Sequence, residues 1–289
     1  QEPAMHSPPE HPAYIHPLKR TASFTGLSKS DFEHDNTADR DIEKFDARQQ
    51  SFPSIDLLTD MGEAGAALGD RLHSVLEDYL GNRAEMDAAS ADCEPAHVGR
   101  AAMTAIVGAP LTFGAHAPVT LAELREGCIT EMQFHLPVRM LNPQVLSSVL
   151  LEDPEIGESE ERSQWAAKIS DHWMFGEFGG HLQGYIDLIF EHENRWFVLD
   201  YKSNKLDDYS PESLERAMVE KHYLLQARLY ALALHRHLQV QMTRYDHFKH
   251  FGGVAYLFVR GLPSRGLWFE RPSLRALDSL GNPFSYSQS

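Results

Sequence analysis

Two apolar runs, "HLQGYIDLIF" (181–190) and "RWFVLDYK" (195–202), are joined by the polar "EHEN". Strand-forming runs of this length around a short polar turn predict a β-hairpin. The residues that interrupt them constrain the fold further. Asp187 sits in the middle of the first run, and Asp200 and Lys202 in the second. Side chains alternate along a strand, so Asp200 and Lys202 share one face while Leu199 and Tyr201 share the other. Twelve residues lie between Asp187 and Asp200, a spacing that lets the hairpin bring both carboxylates together. Charges in an apolar interior are costly unless they are paired, metal-bound or used. Two close carboxylates repel, and a divalent cation relieves the repulsion. Mg²⁺ suits an inventory of one or two carboxylates plus water and phosphate oxygens. Lys202 then stands beside the metal, where it could orient a water or offset transition-state charge. On spacing alone, a buried ion-pair cluster of Asp187, Asp200 and Lys202 is the competing reading.

The remaining elements frame this hairpin. In "DMGEAGAALGDRLHSVLEDYL" (60–80), Leu68, Leu72, Val75, Leu76, Tyr79 and Leu80 recur at helical spacing, with His73 on or beside the apolar stripe. "CITEMQFHLPV" (128–138) alternates as a strand, which places Glu131 on the face of Ile129 and Gln133. The stretch 211–239 is predicted as one helix, capped by Ser210 with Pro211 in its first turn. Gln226 and Tyr230, four apart, share one face of it. "FGGVAYLFVRGL" (251–262) is predicted as a buried strand. Helix, three strands, helix, strand predicts an α/β fold, a mixed central sheet flanked by helices. Residues 1–17, with five prolines, are expected to be an extended linker, and 28–60 a mobile loop. Residues 81–127 are expected to be irregular helices and loops, and 139–179 an acidic insertion; the domain is taken as 18–289.

The formal net charge of −16 argues at first against nucleic acid. The charge is uneven, however: residues 201–289 hold 12 Lys and Arg against 8 Asp and Glu, while 1–200 hold 14 against 34. Composition therefore neither supports nor excludes DNA. Two cysteines are too few for a disulfide framework or a zinc cage. No run approaches a membrane span and no leader is visible, so a cytoplasmic, non-membrane protein is expected. The chain begins with Gln1, which suggests a piece of something longer. The His-rich "HRH" (235–237) and "HFKH" (247–250) lack a completing Cys or carboxylate and read as solvated helix end and loop. No GxxxxGK[ST] is present, so no ATP site is visible.

Taken together, these residues resemble the RecB-type branch of the PD-(D/E)xK nuclease superfamily. The motifs are "GYID" (184–187), "LDYK" (199–202) and "QARLY" (226–230). "SFTGL" and "GDRLHSVLEDYL" lie upstream, and "DYKSN", "YALALHRHL" and "HFGGVAYLFVRG" follow in order. The match covers most of 18–265, with Ile186 in place of the proline before Asp187. The resemblance implies a restriction-endonuclease-like core and a Mg²⁺-dependent exodeoxyribonuclease of the exodeoxyribonuclease V type. Its implied substrate is mainly single-stranded DNA, cut during double-strand-break repair and recombination. Asp187, Asp200 and His73, with the carbonyl of Tyr201, are the implied metal ligands. Lys202 is the implied catalytic lysine, Glu131 the acid of the first core strand, and Gln226 and Tyr230 the DNA-handling pair. RecC-type and RecD-type subunits and the recombinase RecA are the implied protein partners. Any ATP dependence would come from a helicase portion outside this chain. Two other readings stay open: a catalytically silent interaction module, which suits the acidic half, and a restriction-type or phage-type nuclease acting on duplex DNA.

Overall fold

A computed structural model describes residues 20–23, 66–89, 96–172 and 178–284. The proline-rich linker (1–17) and the loop expected over 28–60 lie outside these residues. The described strands are β1 (Arg20–Ser23), β2 (Cys128–Leu141), β3 (Phe178–His192), β4 (Arg195–Lys202), β5 (Phe251–Phe258) and β6 (Leu267–Glu270). The main helices are α1 (Ala66–Leu80), α2 (Ala96–Gly108), α3 (Pro143–Leu151), α4 (Glu160–His172), α5 (Pro211–Glu220), α6 (Tyr223–Gln241) and α7 (Leu274–Gly281).

The six strands form one mixed sheet. The predicted hairpin is β3–β4, paired from His192↔Arg195 to Leu188↔Leu199. Its turn places Glu193 and Asn194 at φ 49° and 60°, the doubly left-handed geometry that matches strand twist. Antiparallel β2 pairs along β3, so the opposite edge of β3 is shared. There β1 pairs in parallel with Gly180–Gln183, and β4 takes Leu188–His192. Parallel β5 lies beyond β4, and β6 beyond that. All eight residues of β5 are buried, as are Phe197–Lys202 of β4, as expected for central strands covered on both faces.

One face carries Leu182, Ile186, Ile189, Val198, Tyr256 and Phe258 against α6 and its neighbours. The other carries Leu188, Phe190, Phe197, Leu199 and Leu257 against Leu72 and Leu76 of α1 and Met103 and Ile106 of α2. In α6 every residue from Tyr223 to His235 is buried, Gln226 and Arg228 included, so α6 is a core helix rather than an amphipathic cover. Arg228 is held by Asp153 (2.5 Å) and Glu270 (2.8 Å), and Glu270 also meets Arg162, which pairs with Glu215. This network ties α4, α5, α6 and β6 into one unit.

In "HRH" and "HFKH", expected in solvent, His235 and His247 are instead buried with their rings in contact. Two elements also depart from expectation. The helix predicted over 211–239 is two helices, because His222 adopts a left-handed φ of 58° between α5 and α6. Nothing local demands the break; tertiary contact holds it, with Trp165 Nε1 donating to His222 Nδ1 at 2.8 Å. Ser210 does cap the first segment, accepting from the Ser213 amide with Pro211 behind it. The second correction concerns β2, where regular alternation fails at Glu131, whose φ is 50°. The stretch 139–179 carries α3 and α4, whose Leu146, Leu150, Trp165 and Ile169 join the core around α6.

Candidate active site

Pairing between β3 and β4 stops at Leu188↔Leu199, so Asp187 and Asp200 occupy the next rung, where the strands part. The Tyr201 amide, no longer facing a β3 carbonyl, donates to Asp187 Oδ2 at 2.9 Å. A carboxylate in the middle of an apolar strand thus caps the splay of its own hairpin. On the far side of β3, the pairs Thr130↔Leu188 and Met132↔Ile186 bracket Glu131 and Asp187. Both strands exchange faces at this level: Ile186 packs with the α6 side, whereas Leu188, of the same parity, packs with the α1 side. The left-handed φ of Glu131 accompanies that exchange. Ile129 and Gln133 stay exposed, but the Glu131 carboxylate turns toward Asp187. Within "GYID", Gly184 is required because a Cβ there would lie 2.8 Å from the Phe134 ring.

His73 arrives from α1. Gly69, one turn earlier, lets the helix approach the end of β4, since a Cβ there would sit 3.2 Å from Ser203 Oγ. His73 Nε2 donates to the Tyr201 carbonyl at 3.1 Å, and its Nδ1 lies 3.4 Å from Asp187 Oδ2. Ligand-capable atoms of His73, Glu131 and Asp187 all fall within 4.8 Å of one another. Burial pushes the His73 pKa down, yet the Asp187 carboxylate outweighs it and holds the imidazole up at about 9. Asp187 is desolvated as well, but His73 and the Tyr201 amide keep its pKa below the ordinary value. An imidazolium here occupies the place a cation would take, and two carboxylates plus an imidazole are a donor set that can hold a divalent metal.

Asp200 turns to Lys202, whose Nζ is 2.9 Å from Oδ2, with both side chains only 3–4% exposed. The two do share a face, as strand alternation requires. Gln226 Oε1 lies 3.3 Å from Lys202 Nζ and also accepts from the Tyr256 hydroxyl at 2.9 Å, while Gln226 Nε2 donates to Tyr230 Oη at 3.0 Å. The ammonium stands 4.2 Å above the Tyr223 ring and 5.4 Å from that of Tyr256.

The fold therefore gathers all eight residues singled out from the sequence, in two adjoining groups. His73, Glu131 and Asp187 form the acidic cluster, with the Tyr201 backbone between His73 and Asp187. Asp200, Lys202, Gln226 and Tyr230 form a buried chain beside it. Gln226 and Tyr230 touch the lysine system and are 4% and 2% exposed. Sequence reasoning missed Tyr223, Tyr256 and Asn204 around Lys202. The two tyrosines sit in apolar runs where they read as ordinary core, and Asn204 lies in "DYKSN", which entered only as a resembling segment with no role for the asparagine.

Comparison with known proteins agrees with this architecture. The family model of the PD-(D/E)XK nuclease superfamily matches residues 53–279. The RecBCD enzyme subunit RecB of Escherichia coli (strain K12) is 34% identical over 228 residues, covering 72% of this chain and 18% of the RecB chain. That of Haemophilus influenzae is 34% identical over 175 residues, 57% of this chain and 14% of the relative. That of Mycobacterium tuberculosis (strain ATCC 25618 / H37Rv) is 44% identical over 88 residues, 29% and 8% respectively. The chain thus spans less than a fifth of the length of the curated relatives it matches. A mixed sheet between two helical layers, a hairpin splayed at paired aspartates, and a family match over most of its length establish that this chain belongs to the PD-(D/E)XK nuclease superfamily.

Proposed function

We propose that the chain is a Mg²⁺-dependent deoxyribonuclease domain of the exodeoxyribonuclease V type. It hydrolyses phosphodiester bonds of single-stranded DNA delivered by an attached helicase, in double-strand-break repair and recombination. The observation that carries this reading is the convergence of His73, Glu131 and Asp187 within 4.8 Å, with Asp200 of the buried Asp200–Lys202 pair on the same rung as Asp187. His73, Asp187 and Asp200, with the Tyr201 carbonyl, are the proposed ligands, and Glu131 completes the acidic wall. Bound there, a divalent ion would supply Lewis acidity toward phosphate and a lowered pKa for water. Lys202 holds a fixed positive charge at the edge of this cluster, available to orient water and to offset charge on the phosphate. Gln226 and Tyr230 serve the DNA through that lysine, whose donor direction they set. With 12 basic against 8 acidic residues over 201–289, the DNA is held through its backbone, with little reading of sequence.

The RecB relatives are subunits of the RecBCD enzyme. By that likeness we assign RecC-type and RecD-type subunits and the recombinase RecA as partners, and the cytoplasm as the place of action. No helix among the described residues is long and apolar enough to cross a membrane. The test is cleavage of end-labelled single-stranded and duplex DNA by the 289-residue chain with Mg²⁺, alongside Asp187→Ala and Asp200→Ala. Cleavage that both substitutions abolish, with single strands preferred, is expected. Full activity in Asp200→Ala would sink the assignment. A chain whose melting temperature responds to neither Mg²⁺ nor Ca²⁺ would instead be the silent interaction module.

A further inference from the structure

Lys202 is a strongly hydrated point charge on a flexible stem, so catalytic use of it requires something to fix its head. Asp200 and Gln226 contact the ammonium on its polar sides, at 2.9 and 3.3 Å. The Tyr223 ring lies 4.2 Å below it and the Tyr256 ring 5.4 Å away, both inside cation–π range. The two rings stack on each other, centroids 5.7 Å apart and planes 25° from parallel.

Each ring is itself anchored by a buried polar group. The Tyr223 hydroxyl donates to Asn204 Oδ1 at 3.3 Å, so the residue two places beyond Lys202 fixes the ring beneath it. The Tyr256 hydroxyl donates to Gln226 Oε1, the atom that Lys202 also reaches. Asn204 is in turn held through its carbonyl by the Tyr209 hydroxyl at 3.0 Å. The left-handed turn at His222 places Tyr223 as the first residue of α6. An unbroken helix over 211–239 would carry it elsewhere.

We infer that Tyr223 and Tyr256 are positioning residues for the nuclease reaction: their stacked rings seat the Lys202 ammonium, with Asn204 and Gln226 locking the two rings. This rests on the reading of Lys202 as the catalytic lysine. A purely packing role predicts that any apolar side chain of similar size would serve. The cation–π role requires a ring.

The experiment uses the 289-residue chain labelled with ¹³C-lysine, its Lys202 side-chain signal assigned by loss in Lys202→Arg. In the parent chain the Lys202 Hε resonances are expected upfield of the other lysines, under the ring current of Tyr223. Tyr223→Leu should remove that displacement and Tyr223→Phe should keep it. On single-stranded DNA with Mg²⁺, Tyr223→Leu should lower kcat about 2- to 30-fold with KM little changed, the factor equivalent to one cation–π contact. Tyr223→Phe should restore most of the loss. An unshifted Lys202 in the parent overturns the inference even if neither Tyr223 variant folds. So does a Tyr223→Leu protein that folds and keeps the parent kcat, or one whose loss lies in KM. If the parent cleaves no DNA yet shows the displaced resonance, the ring seat stands and the nuclease reading fails.

Discussion

The Tyr201 backbone amide donates to Asp187 Oδ2 at 2.9 Å, at the rung where β4 stops pairing with β3. Asp187 therefore has two duties, one to the fold and one to the acidic cluster, and they can be separated. Asp187→Ala should lose about 1–3 kcal/mol of stability, because it leaves a part-buried amide unpaired. Asp187→Asn keeps an acceptor for the amide and should hold that part of the stability, yet lose the charge that pairs with His73 and that a divalent ion needs. Urea unfolding paired with Mg²⁺ titration of both variants checks this. Equal destabilisation by Ala and Asn would show that the hydrogen bond carries no weight.

The raised pKa of His73 has a stability consequence in metal-free protein. A group whose folded pKa is about 9, above 6.5 when unfolded, stabilises fully below pH 6.5. That contribution is lost as pH rises through 9. Urea midpoints in EDTA should fall between pH 6.5 and 9.5, and His73→Ala should flatten the fall. By the same linkage, divalent-ion binding near neutral pH should expel a proton from His73, visible by calorimetry in buffers of different ionisation enthalpy.

Lys202 and Asp200 are buried together, so removing one leaves the other uncompensated. Lys202→Met should cost about 3–5 kcal/mol and abolish cleavage. Adding Asp200→Asn removes the stranded charge and should recover much of the stability, with no recovery of activity. A double mutant no more stable than Lys202→Met would mean that the pair is not coupled in the folded protein.

Arg228 offers a contrast away from the chemistry. It is 1% exposed and joins Asp153 to Glu270. Arg228→Met should destabilise by about 3–5 kcal/mol, since two carboxylates lose their shared cation. At temperatures where the variant is folded, Mg²⁺ affinity should match that of the parent. A folded variant with weakened Mg²⁺ binding would link this network to the acidic cluster.

Much of the site was legible in the sequence because it depends on short-range periodicity. Period two put Asp200 and Lys202 on one face, and a hairpin of fixed length set Asp187 beside Asp200. Period 3.6 placed His73 next to the stripe that docks α1, and Gln226 one turn from Tyr230. These relations span one element or one turn, so local spacing is enough to state them. What the tertiary structure decided runs between distant elements or against local preference. Glu131 reaches the cluster only because its backbone turns left-handed where both strands exchange faces. The helix breaks at His222, with no glycine or proline to mark it, under the hold of Trp165. Tyr223 and Tyr256 look like core in sequence and become the seat of Lys202 only once α6 lies across β4 and β5. Arg228 finds Asp153 and Glu270 across 75 and 42 residues of chain. The sequence alone states which charges must be buried; which partners make that burial affordable is settled only when the layers close on one another.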